Sequence, residues 1–217
     1  NKNDIQDIFS FNLGTSSYIL DKVIEMGCRR IINITTNWAY LSKGGRGKMF
    51  FNHYAASKYF FDIYLQEMAN RYRNISIINL LLYDNFSLND PRGKIFNLIY
   101  SSLIKQESIQ FSPGLQVINL TRMNEIVKAL MFIINRMEPI HDYRIYQLTG
   151  IETSLKDLSN IISKVLNVDN IIRFGELKYR EGEVMVPKYY FEELPFTGQR
   201  KRNLFESIKK EIEESNN

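Results

Sequence analysis

Apolar residues along this chain alternate between two spacings. Ile19, Leu20, Val23 and Ile24 recur at helical intervals, and Gly27 follows where a left-handed cap ends a helix. Arg30 to Thr35 is then short and β-branched, which predicts a strand buried on both faces. Past a polar loop with Gly44, Gly45 and Gly47, residues from about 52 to 73 place Phe60, Tyr64, Met68 and Tyr72 four apart, a long helix. Ile75 to Tyr83 is almost continuously apolar, a second buried strand. A helix of that length between two buried strands is a crossover in a parallel sheet, so the fold class is α/β.

Beyond Asp90 and Pro91 the segments shorten. Helices are predicted near 95–104, 123–136, 154–166 and 202–214, strands near 117–120 and 146–148, and a turn at Ser112-Pro113-Gly114. The segments 171–174 and 179–185 lie between the last two helices, and no internal repeat is present.

Composition narrows the function classes. The 217 residues are 44% hydrophobic and 24% charged, as in ordinary globular chains. A net charge of +4 is compatible with phosphate-bearing ligands and far below a nucleic-acid footprint. Cys28 is the single cysteine, which excludes an internal disulfide, and with two histidines it cannot build a thiolate zinc site. A reducing cytoplasm is the expected compartment. No apolar run approaches the ~20 residues of a membrane span, and no signal-peptide pattern opens the chain.

Tyr54-Ala-Ala-Ser-Lys58 sets a phenol and an ammonium one helical turn apart. A neighbouring ammonium lowers a phenol's pKa, which suits the phenol to exchange a proton with a substrate hydroxyl or carbonyl. The spacing alone carries little, since Tyr18 and Lys22 repeat it among 13 tyrosines. Only Tyr54 follows a predicted strand ending in hydroxyls, Thr35 and Thr36, and ligands of parallel α/β sheets gather at the carboxyl ends of strands.

Six motifs in order then resemble the extended short-chain dehydrogenase/reductases, the NAD-dependent epimerase/dehydratase family that modifies nucleotide sugars. They are Asn12-Leu-Gly-Thr15, the strand and tyrosine of Ile32 to Tyr40, Tyr54 to Lys58, the loop Leu82 to Lys94, Phe111 to Gln116, and Tyr179 to Met185. The resemblance implies the C-terminal part of a Rossmann-like parallel sheet with a small mixed α/β substrate-binding lobe. Residues 1–90, with a strand near 145–148 returning, would form the first part and 91–217 mainly the second.

The resemblance also implies roles. Tyr54 is the general acid/base, Lys58 tunes it and holds the nicotinamide ribose, and Thr36 orients the substrate oxygen, with Thr35 as the alternative. Tyr54, Lys58, Thr35 and Asn12 would face the cofactor, NAD or NADP. Thr36, Trp38, Asp84, Asn85, Arg92, Lys94 and Arg180 would face a nucleoside-diphosphate sugar, with Arg180 on the diphosphate. Related enzymes form homodimers through the helix carrying the tyrosine and the one before it.

Departures limit the reading. Phe86-Ser87-Leu88 replaces the common Tyr-Gly-Pro, and Gln116 to Leu120 lacks the family's nucleotide-binding arginine. Thr35-Thr36-Asn37 lacks the Asp-Glu pair of the dehydratases, which disfavours dehydration. No Gly-x-x-Gly-x-x-Gly occurs, although that turn lets the backbone approach a cofactor pyrophosphate. The expectation is that roughly 80 to 90 residues are missing upstream, by analogy of domain size. The expected function is oxidoreduction or epimerisation at C4, foremost reduction of a CDP- or dTDP-4-keto-6-deoxyhexose for surface polysaccharide. The alternative is a noncatalytic homologue serving as a binding or dimerisation module.

Overall fold

The computed structural model describes residues 2–41, 50–139, 141–196 and 203–215. The glycines at 44, 45 and 47 lie outside them. In chain order the elements are α1 (Lys2–Phe9), a π-helical turn (Ser10–Thr15), α2 (Ser16–Glu25), β1 (Arg30–Thr36), a 3₁₀ turn (Asn37–Ala39), α3 (His53–Arg71), β2 (Ser76–Leu82) and β3 (Asp84–Phe86). There follow α4 (Ile95–Lys105), β4 (Gln110–Phe111), β5 (Val117–Arg122), α5 (Met123–Arg136), β6 (Tyr143–Leu148), β7 (Ile151–Ser154), α6 (Leu155–Leu166), β8 (Arg173–Phe174), β9 (Glu192–Glu193) and α7 (Leu204–Ser215). Among the described residues no helix is long and apolar enough to cross a membrane. The chain divides into two compact units.

The first unit comprises Asn1–Leu82, Met137–Leu148 and Lys188–Leu194. Its sheet has the order β1-β2-β6-β9, parallel throughout, with Thr36 opposite Leu82 and Leu82 opposite Leu148. Every residue of β2 is buried, as its continuous apolar run requires. β1 departs from the expectation: Thr35 is its one buried residue and Ile34 is 41% exposed. The cause is position. Among the described residues, β1 pairs only with β2 and forms the edge of the sheet. Leu20 and Ile24 of α2 pack with Phe61, Leu65 and Met68 of α3 and with Ile77. Gly27 ends the first helical run at φ +95°, where a side chain would be strained.

That run starts far earlier than the periodicity at 19–24 indicates. Its middle is widened by the π turn, where the Thr15 and Ser16 hydroxyls each donate to a carbonyl five residues back, Ser10 O at 3.1 Å and Phe11 O at 3.2 Å. A π turn shifts the phase of the apolar stripe, so one helical period does not fit both sides.

The second unit comprises Tyr83–Arg136, Thr149–Pro187 and Pro195–Asn217. β3 pairs parallel and β7 antiparallel with the central β5, and β4 pairs with β8. Phe86, Phe96, Ile99, Leu120, Leu158 and Ile208 form the centre of its core. Gly150 follows β6 where a Cβ would lie 2.0 Å from the Leu120 carbonyl oxygen, a place only glycine fits. Ser154 caps α6 by accepting from Asp157 N at 3.0 Å. The segment 179–185 forms no strand or helix; Val117 N donates to Met185 O at 2.8 Å and Leu115 N to the Tyr179 hydroxyl at 3.1 Å.

Candidate active site

α3 begins at a side-chain cap: Asn52, in extended conformation, accepts from Ala55 N at 2.8 Å. Tyr54 stands in the first turn and is 40% exposed. Behind it Ala55, Ala56 and Ser57 are buried, small enough to bring the helix close to its neighbours. The Ser57 hydroxyl donates to Tyr54 O at 2.9 Å and accepts from the Asn12 amide at 3.1 Å. Asn12 thus reaches from the π turn to the first turn of α3.

Lys58, one turn after Tyr54, is half-buried. Burial holds its amine below the ordinary lysine range, and among the described residues no carboxylate pairs with it. The linkage has a definite sign. The unfolded chain binds this proton more tightly, so the charged amine destabilises the fold below the folded pKa, and that cost fades as pH rises to the ordinary value of 10.5. Lys58→Met is therefore expected to raise the melting temperature at pH 7 and to lose that gain towards pH 10.5. Melts of both proteins across that range check it; a gain independent of pH would refute the burial cause.

Thr36 ends β1 and caps the 3₁₀ turn, its Oγ1 accepting from Trp38 N and donating to Asn37 Oδ1, both at 3.4 Å. Thr35 is 4% exposed, and its Oγ1 has no hydrogen-bond partner among the described residues. The turn packs on α3. Trp38 stands edge-on to Phe51 with centroids 5.4 Å apart, and Tyr40 edge-on to Tyr59 at 6.0 Å. Tyr54, Lys58, Thr35, Thr36, Trp38 and Asn12 all belong to the first unit.

The remaining candidates belong to the second unit. Burial pushes the Asp84 carboxyl upward, against the Lys94 ammonium. Lys94 donates to Asn85 Oδ1 at 2.5 Å and lies 3.3 Å from Asp90 Oδ2. Arg92 forms a fork on Asp90, with Nε at 2.8 Å and Nη2 at 2.7 Å, which holds that carboxyl far below its usual range. Arg180 is exposed in a turn where its carbonyl accepts from Glu183 N at 3.1 Å.

Sequence reasoning missed a buried carboxylate. Asp62 in α3 is 2% exposed and accepts from Tyr40 Oη at 2.8 Å, Gln66 Nε2 at 3.1 Å, Asn79 Nδ2 at 2.6 Å and Tyr143 Oη. Asn79 in turn accepts from Asn33 at 2.8 Å. Burial, then the Asp62 charge, raises the Tyr40 and Tyr143 phenols above the ordinary range. Two clues were readable: an aspartate four residues after Lys58 on the same helix, and asparagines inside two apolar strands, where an amide needs a partner.

The chain is similar to known proteins along most of its length. A CDP-abequose synthase of Yersinia pseudotuberculosis is 28% identical over 191 residues, covering 87% of this chain and 65% of that protein. The chain thus spans about two thirds or less of the curated relatives it matches. Among solved structures, a UDP-N-acetylglucosamine 4-epimerase from Methanobrevibacter ruminantium, in complex with UDP-N-acetylmuramic acid, superposes with a TM-score of 0.78 at 17% identity. That match covers 94% of this chain and 68% of the epimerase. The Thermus thermophilus UDP-glucose 4-epimerase complex with NAD gives 0.76 at 16% identity, covering 94% of this chain and 70% of that one. These similarities establish a Rossmann-like fold. The profile of the NAD dependent epimerase/dehydratase family matches residues 1–149, a range that includes the π turn, the strand-end hydroxyls, Tyr54 and all of β6, and the chain belongs to that family.

Proposed function

We propose that this chain carries the proton-transfer part of an NAD(P)-dependent enzyme acting at C4 of a nucleoside-diphosphate sugar, foremost as the reductase of a 4-keto-6-deoxyhexose. The observation that carries the reading is the Tyr54 and Lys58 pair: an exposed phenol and, one turn on, a half-buried amine without a carboxylate partner among the described residues. In reduction Tyr54 Oη gives its proton to the keto oxygen, and in the reverse direction it takes the hydroxyl proton. Lys58, spared a carboxylate, is available to favour the phenolate and to hold a ribose hydroxyl. Thr36 or Thr35 would orient the reacting oxygen, and the unpartnered Thr35 hydroxyl is chemically suited to that task. Likeness to CDP-abequose synthase supports a nucleotide sugar as the substrate.

Hydride transfer is the chemistry that NAD(P) supplies when bound. The residues present fit its nicotinamide ribose, through Lys58, Tyr54 and Asn12's neighbourhood, but no glycine-rich turn for its diphosphate occurs in this sequence. We assign Arg180, exposed, to the substrate diphosphate, with Trp38, Asp84 and Asn85 as further substrate contacts. Arg92 and Lys94 join them once a phosphate competes with Asp90 for their donors.

Pairing of two copies through α3 and the preceding helical run is part of the proposal. Phe11, Tyr18 and Ile19 are 71%, 64% and 54% exposed, and Ile63 of α3 45%. Sedimentation at the mass of one chain, unchanged by concentration, would remove this element. One free cysteine, Cys28, suits a reducing cytoplasm.

The decisive experiment incubates the protein, in the longest form its gene encodes, with NAD(P)H and a CDP- or dTDP-4-keto-6-deoxyhexose. Loss of nicotinamide absorbance matched by 4-hydroxy sugar is the expected result. Interconversion of sugars without net cofactor consumption would assign epimerisation instead. Neither reaction, with cofactor bound, would favour the noncatalytic reading.

A further inference from the structure

We propose that Asp62 is a positioning residue of the proton-transfer site, fixing the turn that follows Thr36, the middles of β1 and β2 and the start of β6 to the helix that carries Tyr54 and Lys58. The inference rests on the reading of Tyr54 and Lys58 given above.

The groups facing Asp62 come from four places in the first unit. Tyr40 closes the 3₁₀ turn, Asn79 lies in β2, Tyr143 begins β6, and Gln66 is one turn on in α3. Asn33 of β1 joins through Asn79. Among the described residues no cation meets the carboxylate, so its stabilisation inside the core comes from neutral donors alone.

A network of this kind does something an apolar residue cannot. Hydrophobic burial is non-directional and lets a helix slide or rotate by small amounts, whereas four donors on two oxygens fix both depth and rotation. The helix so fixed places Lys58 one turn before Asp62 and Tyr54 one turn before that.

Tyr40 transmits the constraint to the threonines. Its backbone N donates to Asn37 O at 3.0 Å, which closes the turn begun at Thr36. Its ring stands edge-on between Tyr59, at 6.0 Å, and Phe191, at 4.8 Å, and its hydroxyl ends on Asp62. Among the described residues the Thr36 hydroxyl makes only 3.4 Å contacts within its own turn, so this anchor, together with the pairing of β1 on β2, sets its place relative to α3.

The test has two parts. On the 217-residue chain, amide hydrogen exchange is measured for the native protein, Tyr40→Phe and Asp62→Asn. Tyr40→Phe removes one hydroxyl and keeps the ring, so it folds where Asp62→Asn fails. Exchange at Trp38 and Tyr40 is expected to rise about tenfold or more, while Leu80 and Leu81 in β2 change by less than about threefold. No change at the turn, or an equal rise in β2, would overturn the proposal. In the turnover assay, Tyr40→Phe is expected to lower kcat roughly ten- to hundredfold with KM within about twofold. A loosened turn with unchanged kcat would also overturn it. If turnover proves insensitive to Tyr54→Phe, the reading of the site fails instead, and the exchange result still reports whether Asp62 fixes the turn.

Discussion

Phenylalanine at position 54 is expected to lower kcat by about 10²–10⁴, some 3–5 kcal/mol of activation free energy, with little change in KM. The substitution removes one oxygen from a ring that is 40% exposed. The surroundings survive it: the Asn52 cap bonds Ala55 N, Ser57 bonds the backbone carbonyl of residue 54, and Ala55 and Ala56 stay packed. The fold should therefore be unaltered and the loss confined to the proton-transfer step. Single-turnover kinetics and circular dichroism on the pair of proteins separate these effects. Near-native turnover by Tyr54→Phe would refute the assignment of the acid/base, and the other Tyr-x-x-x-Lys pair, Tyr18 and Lys22, would not inherit it, because Lys22 is tied to Glu25 at 2.6 Å on an exposed surface.

Removing the Arg122 side chain is expected to cost the second unit about 3–5 kcal/mol, the usual consequence of leaving a buried charge without its partner. Arg122, its side chain 3% exposed, donates through Nε to Glu211 Oε2 at 2.6 Å and through Nη2 to Glu214 Oε2 at 2.5 Å. Glu211 is buried too, and its other oxygen accepts from Leu88 N and the Ser87 hydroxyl, each at 2.9 Å. One carboxylate thus joins α7 to the end of β5 and to the loop after β3. In Arg122→Ala that carboxylate stays in the core with two neutral donors. Urea unfolding checks the prediction, with Glu214→Ala as the control. Glu214 is 44% exposed and its loss should be small, so equal effects from the two variants would show that Arg122 is not a buried ion partner in solution.

What the amino-acid pattern discloses follows the length and burial of each element. β2 reads plainly because all seven residues are buried, and α3 because a 19-residue helix repeats its period several times. β4, β8 and β9 have two residues each, too few for any period to form. α1 escapes for another reason: the π turn breaks the phase of the apolar stripe between Phe9 and Ser16. β1 misleads because its apolar composition indicates two covered faces, while its place at the sheet edge leaves Ile34 exposed.

The site divides along the same line. Tyr54 and Lys58 are four apart on one helix, so local geometry suffices to put them side by side. Asp62 is just as near in sequence, yet its meaning comes from Asn79 and Tyr143, which are distant along the chain. Asp90 likewise gains its role only once the loop folds Arg92 and Lys94 onto it.

The outer edge of β1 bears on how the isolated chain behaves in solution. Along β1 every other residue turns its backbone N–H and C=O away from β2, to a side where no strand pairs with it among the described residues, and no proline interrupts the strand. Such an edge accepts any extended segment that can complete its hydrogen bonds. Concentrating these 217 residues is therefore expected to favour strand addition between copies, a route to aggregates separate from the pairing proposed through the helices. Lysine in place of the exposed Ile34 would blunt that edge without touching Tyr54, Lys58 or the buried face of the sheet.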